Sequence, residues 1–369
     1  MVKKLMHRSK PTVRGTGSGP GLVITPVGPL AALLVIATLA GCSDKLSKPV
    51  SETRQLLGTT CTVTLYDRAP RGIFEKVFAR IDEIERRMTL NGTGSEVIAV
   101  NEAAGRAPAA VSPDTFSVIS AGLEYSRLSQ GAFDITIGPL VKSWGIGSDS
   151  ARVPPEHEIR EKLALIDYTK VRTDERSGTV YLEEPGMMLD LGAIAKGYAA
   201  DETVRILTEN GVKSAIIDLG GNIMLVGKKS DGTDWRIGVQ DPDGMRGSYI
   251  GVIESGPGAV VTSGVYERFF VRDGVRFHHI LDTETGYPVD NGLTSVTIVT
   301  PRSTDADGLS TSVFSLGLEK GIELIEHLPG VEAIFLTWDK QIWITSGLTG
   351  SFKTLDPAYT IREAAAASN

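Results

Sequence analysis

From Thr59 to Asp67 apolar and polar residues alternate, with Cys61, Val63 and Leu65 on one side, which predicts a half-buried strand. The period then changes. Ile73, Val77, Ile81, Ile84 and Met88 recur at helical spacing and predict an amphipathic helix. Ser112-Pro113 supplies an N-cap and a first-turn proline, opening a helix that stops before Gly131. Ile194 to Asn210 forms another helical stretch, with Gly211 as its stop. Between Lys213 and Val299 lie short β-rich runs: SAIIDL, NIMLVG, WRIGV, YIGVI, RFFV, RFHHIL and TSVTIV. A helix over Asp305–Leu316, a second near Ile322, and strands at EAIFLTW and QIWIT follow. Strands that follow one another without regular helical crossovers predict an α+β fold: a single compact domain of antiparallel or mixed sheets with packed helices.

Composition adds the compartment and the size of the core. At 369 residues, 41% hydrophobic and 22% charged, the chain matches a soluble globular protein long enough to bury a core without disulfides. Its N-terminus departs from that average. Lys3, Lys4, Arg8, Lys10 and Arg14 precede an apolar run from Leu30 to Ala40, too short for the roughly 17–25 residues that cross a bilayer. The pattern is that of a secretory signal. Leu39-Ala40-Gly41-Cys42 looks like the lipobox of bacterial lipoproteins, which makes Cys42 the expected lipidated residue, anchored by several acyl chains. The expected location is the extracytoplasmic, periplasmic face of a bacterial membrane. Residues 1–41 are then the signal, 42–52 a tether, 53–356 the domain and 357–369 a tail, frayed or weakly helical in IREAAAASN. Of 38 basic residues five fall in the signal, leaving 33 against 45 acids, or −12. Such a body has no electrostatic case for nucleic acid, and an anionic substrate needs a metal or a local basic group. Cys61 is the one cysteine left after Cys42, so no internal disulfide forms.

Three segments can carry chemistry. In LDLGAIAKGYAAD a strand ending at Asp190 runs through Gly192 into a helix bearing Lys196, and free N–H groups at a helix start attract phosphate. A plain helix cap with a solvated lysine fits the same residues. In STDADGLSTSVFSLG, Asp307 and Thr311 are four apart and share a helical face, two hard oxygen donors suited to magnesium. A cap by Thr304 with Asp307 completing a capping-box-like pair fits equally. In RFHHILDTETGYPV, adjacent His278 and His279 point to opposite faces of a strand, one available as a base and one structural, before a turn marked by Asp282 and Gly286.

Taken together, DLGAIAKGYAAD, GAFDITIGPLVKSWG, VVTSGVYERFF, HHILDTETGYPV and DADGLSTSVFSLG resemble the motifs of the ApbE family, the FAD:protein FMN transferases, in order and spacing from about Gly58 to Ile344. The resemblance implies magnesium-dependent transfer of FMN from FAD, the substrate, to a threonine or serine of an extracytoplasmic acceptor protein, releasing AMP. It implies a metal held by the Ala193 carbonyl, Asp307 and Thr311. Contacts to FAD fall at Leu57, Ala132, Phe133, Asp134, Asp190, Lys196 and Ile280, and His279 is the base. Leu57 stands where the family has methionine. Asn91 stands where a flavin-stacking tyrosine precedes Ser95-Glu96 by four residues, so hydrolysis of FAD to FMN and AMP is an alternative outcome at the same site. A flavin-binding lipoprotein without chemistry is another, though it needs neither a metal pair nor a base.

Overall fold

The structure is a computed structural model and describes residues 48–245 and 247–364. The signal and Cys42 lie outside the described residues. The chain opens with β1 (Val50–Leu56) and β2 (Thr59–Leu65), then α1 (Ile73–Met88), α2 (Glu96–Glu102) and the short β3 (Ala109–Ala110). Next come α3 (Pro113–Leu128), α4 (Gly138–Trp144), α5 (Glu156–Leu163), β4 (Val171–Asp174), β5 (Thr179–Leu182) and α6 (Ala195–Glu209). A run of strands follows: β6 (Ala215–Leu219), β7 (Asn222–Val226), β8 (Trp235–Gln240), β9 (Tyr249–Ser255), β10 (Gly258–Gly264), β11 (Phe269–Arg272) and β12 (Val275–His278). The C-terminal part holds β13 (Leu293–Thr300), α7 (Ser303–Leu316), α8 (Leu318–Glu326), β14 (Glu332–Thr337), β15 (Gln341–Ile344), β16 (Phe352–Thr354) and β17 (Thr360–Glu363).

Nine strands make the main sheet, in the order β1-β2-β6-β7-β10-β13-β14-β15-β17, antiparallel except where β15 meets β17. Its centre is buried on both faces. Ala259 and Val261 of β10 and Ala333 and Phe335 of β14 point into a core shared with α1, α3, α6 and α7. Val260, Ile334 and Leu336 point the other way, against the small sheet β16-β9-β8 with Trp235, Ile253 and Phe352. Strands covered on both sides lose the apolar–polar alternation, and β10 (GAVVTSG), unlike β13 and β14, has only the short run Ala259-Val260-Val261 between glycine and polar residues, so the sequence pattern does not mark it. The hairpin β11–β12 stands apart as a two-stranded sheet.

The expected helices and β-rich runs are present, and Ser112 caps α3 by accepting the Thr115 N–H at 3.5 Å. Four local expectations change. β1 begins at Val50, inside the expected tether, because Val50–Leu56 pairs residue by residue with β2. The tail is neither frayed nor helical over 360–363: Ile361 pairs with Ile342 and packs on the second core. No strand ends at Asp190. Only Met188 bridges, to Ile137, and the Asn101 side chain takes the ladder's place by bonding Leu189 N–H (2.7 Å) and C=O (3.0 Å). Finally, β12 ends at His278, one residue before the last in-register hairpin bond, which the His279 N–H donates to the Arg268 carbonyl at 3.1 Å.

Candidate active site

The densest part of the site is the crossing of α6 and α7. Gly197 of α6 lies so close to α7 that a Cβ there would sit 2.2 Å from the Ser303 carbonyl oxygen and 2.7 Å from Thr304 Cα. That approach lets each helix cap the other. Asp201 of α6 accepts the Ser303 N–H (2.8 Å), the Thr304 N–H (2.9 Å) and the Thr304 hydroxyl (2.6 Å) at the start of α7. Asp307 of α7 accepts the Gly197 N–H at 2.8 Å, one of the orphan donors of a helix start. The capping-box alternative is therefore corrected: Asp307 caps the neighbouring helix, and the local cap expected from Thr304 is supplied by Asp201.

Asp307 is 3% exposed. Its other oxygen accepts from Asn222 Nδ2 at 3.1 Å and lies 3.4 Å from Lys196 Nζ, which is equally far from the Gly192 carbonyl. One turn on, the Thr311 hydroxyl lies 3.3 Å from Ser263 Oγ of β10. Among the described residues nothing donates to the Ala193 carbonyl, just before the helix. A carboxylate, a hydroxyl and an unclaimed carbonyl are hard oxygen donors. With no cluster of three or more His, Cys, Asp or Glu among the described residues, they suit a cation that takes few protein ligands and completes its shell with water and phosphate. The residues present fit such an ion.

The histidine pair divides as expected. His278 is buried. Its Nε2 donates to the Val289 carbonyl at 3.0 Å and its Nδ1 accepts the Ile280 N–H at 3.3 Å, so both ring nitrogens are committed. Burial holds its pKa below the ordinary 6.5. Among the described residues, His279 keeps one ring nitrogen without a protein partner. Its Nδ1 faces the Arg268 carbonyl at 3.2 Å, and because a carbonyl only accepts, the proton sits on Nδ1 and Nε2 keeps its lone pair. Loss of hydration, then the charges of Arg268, His278 and Lys196, push His279 down to about 3. It stays neutral near pH 7, as a base must. At Asp190, desolvation raises the carboxyl above its usual range, opposed by the Gly192 N–H at 2.8 Å and by the charges of Arg268 and Lys196.

The other expected contacts are distributed unevenly. Phe133 and Asp134 are buried beside the Asp190 segment, whose N–H bonds the Ile135 carbonyl at 2.8 Å; Ala132 is half-buried. The Asp134 carboxylate is committed to the Thr136 N–H and hydroxyl and the Tyr168 N–H, so its part here is to shape the loop. Thr283 Oγ1 donates to the Gly131 carbonyl at 2.8 Å and ties that loop to the turn after His279. Ile280 is buried, and Leu57 (φ 55) occupies the β1–β2 turn. Asn91 is exposed, and among the described residues its hydrogen bonds run only to Thr89 of its own turn. Trp144 is fully buried, bonded to the Gly286 carbonyl and packed on Phe277 and Tyr287, so it is not free to cover a ligand. Sequence reasoning missed Asn222, Ser263, Asp201 and Arg268. Asp201, Ser263 and Arg268 lie inside the quoted motifs DLGAIAKGYAAD and VVTSGVYERFF without being singled out, and Asn222 follows the Gly220-Gly221 pair, a tight hairpin turn (φ 68 and 92) that sets it beside Asp307.

Known proteins resemble this chain in sequence and in fold. The model described as ApbE family matches residues 57–335. The FAD:protein FMN transferase of Treponema pallidum is 38% identical over 347 residues, 89% of this chain and 95% of that protein. One from Klebsiella pneumoniae is 40% identical over 306 residues, 83% and 95% of the two chains. Among solved structures, the ApbE protein of Thermotoga maritima superposes with a TM-score of 0.76 at 33% identity, covering 82% of this chain and 99% of that one. The flavin transferase ApbE of Vibrio cholerae gives 0.75 at 28% identity, with the same coverage.

Proposed function

The chain belongs to the ApbE family, and on that premise we propose that it transfers FMN from FAD to a threonine or serine hydroxyl of a partner protein. His279 Nε2 takes the hydroxyl proton. The hydroxyl oxygen bonds to the FMN-side phosphorus as the bond from that phosphorus to the bridging oxygen breaks, and AMP leaves with that oxygen. Asp307, Thr311 and the Ala193 carbonyl would hold magnesium, which when bound neutralises charge on the phosphate oxygens. Lys196 adds a point charge there, and the backbone at Gly192 and Ala193 orients the pyrophosphate beside the start of α6. The single observation that carries this reading is the place of Lys196. Its Nζ lies 3.4 Å from both the Asp307 carboxylate of α7 and the Gly192 carbonyl of the turn that opens α6, a cation held where the metal donors and the helix start meet.

The location we propose is the extracytoplasmic face of a bacterial membrane, through lipid on Cys42, supported by the basic and apolar N-terminal pattern. No helix among the described residues is long and apolar enough to cross a membrane. The acceptor is then an extracytoplasmic protein with an accessible threonine or serine. Mass spectrometry of candidate acceptor peptides after incubation with FAD and magnesium tests the activity. A gain of one FMN is the expected result; AMP release with no modified peptide in any acceptor would overturn transfer in favour of hydrolysis.

A further inference from the structure

Arg268 is drawn into the site by three independent features. Its backbone carbonyl accepts both the main-chain N–H of His279 (3.1 Å) and the ring Nδ1–H (3.2 Å), so its position is locked to that of the base. Its side chain runs past two glycine turns. A Cβ on Gly147 (φ +88) would lie 3.4 Å from Arg268 Cδ, and one on Gly58 (φ +66) 3.6 Å from Nη2. The guanidinium therefore rests over the β1–β2 turn, next to the residue expected to touch FAD, Leu57. Among the described residues no carboxylate pairs with it, in a body that carries 45 acids. Exposed Arg68 and Arg236 also lack a carboxylate partner among the described residues; Arg268 differs from them in its place beside His279 and the β1–β2 turn. An exposed arginine with its charge felt at both Asp190 and His279, yet without an acidic partner, is arranged for a ligand anion.

We propose that Arg268 is a substrate-binding residue whose guanidinium hydrogen-bonds non-bridging oxygens of the FAD pyrophosphate from the β11 side of the site, while Lys196 serves them from the α6 side. The inference rests on the transferase reading and adds to it. A planar fork matches two phosphate oxygens at once, where Lys196 can offer only a point charge. As the bond to AMP breaks, charge grows on those oxygens, and a fixed donor there contributes to the rate as well as to binding. The same residue then holds the phosphates with its side chain and the base with its carbonyl, keeping the attacked phosphorus and His279 in register.

The test is fluorescence titration of the full chain with FAD and with riboflavin, which has no phosphate, for the native protein and for Arg268→Ala, Arg268→Gln and Arg268→Lys. Melting curves and steady-state rates accompany it. Arg268→Ala and Arg268→Gln should weaken FAD binding about ten-fold, as expected for a charge-assisted hydrogen bond, with riboflavin affinity unchanged. Their kcat should fall on the order of 10²-fold, the loss of one transition-state donor. Arg268→Lys should recover most of the FAD affinity but little of kcat, because it restores charge without the fork. FAD affinity and kcat within two-fold of native in both neutral variants would overturn the assignment. So would a joint loss of FAD and riboflavin binding with a lowered melting temperature, which marks a merely structural arginine. A native protein that bound no FAD would instead break the transferase reading itself, and this inference with it.

Discussion

At the α6–α7 crossing, the functional oxygens sit inside a packed lattice. Asp307 is almost fully buried, Gly197 touches the backbone of the other helix, and Asp201 and Asp307 cap each other's helices. At the other side of the site, Arg268 and His279 lie at the base of the β11–β12 hairpin, a two-stranded sheet that joins no other strand among the described residues. Phe269, Val271 and Val275 of that hairpin are exposed, and one backbone carbonyl orients the base. On the proposed function, the difference matches the chemistry each side would do. Holding phosphate charge calls for oxygens fixed before the substrate arrives, and buried helix packing supplies them. Receiving a hydroxyl carried by another protein calls for an open edge, which a helix crossing cannot offer.

Removing Asp307 should break the rigid side most completely. Asp307→Ala deletes the one buried carboxylate of the cradle, and FMN transfer should fall to background. It also strands the Gly197 N–H and the Asn222 amide, costing about 1–3 kcal/mol for a buried donor left unmet. Thermal melting together with an FMN-transfer assay checks both parts; full activity in folded protein would reduce Asp307 to a cap. On the open side, His279→Ala should lower transfer about 10²–10⁴-fold, the usual loss of a general base, with FAD binding retained. His278→Ala should act mainly through stability, because both of its ring nitrogens are tied to backbone. Equal catalytic losses from the two would reverse their roles.

The open side should also respond to acid. His279 is held to about 3 against an ordinary 6.5, so between these values the unfolded chain binds a proton that the folded chain does not. Its contribution to stability is complete above pH 6.5 and is lost as pH falls through that window. Denaturant melts from pH 7 to 4 should show a shallower decline for His279→Asn than for the native protein. A milder change tests the packing of the rigid side. Gly197→Ala places a methyl against the Ser303 carbonyl, and the overpacking should cost about 1–3 kcal/mol. Activity should fall further than that loss of stability accounts for, since the helices must separate at the cradle. The smallest effect is expected at Asn91, on its exposed turn. Asn91→Tyr should tighten FAD binding by several-fold and reduce acceptor-free AMP release, in line with the 0.5–1.5 kcal/mol or so of an aromatic contact. No AMP release from either protein would make Asn91 a bystander.

The sequence by itself determined the elements with a clear period and a clear stop. α1, with its apolar residues at helical spacing, α3 behind Ser112-Pro113, and α6 ending at Gly211 are all read from local residues, because helix pattern and capping are local interactions. It also determined which residue types could do the chemistry, since five spaced motifs name Lys196, His279, Asp307 and Thr311 together. Tertiary structure alone decided what surrounds those residues. Whether Asp307 caps its own helix or faces a site depends on Gly197 and Asn222, 110 and 85 positions away in the chain. Which of two adjacent histidines stays free depends on where the Val289 and Arg268 carbonyls fall. The same holds for β10, a short apolar run made a strand by its pairing with β7 and β13, and for Arg268, whose lack of a carboxylate partner among the described residues depends on where the acids fall. Long-range contacts set burial, and burial sets whether a polar group is a cap, a ligand or a base.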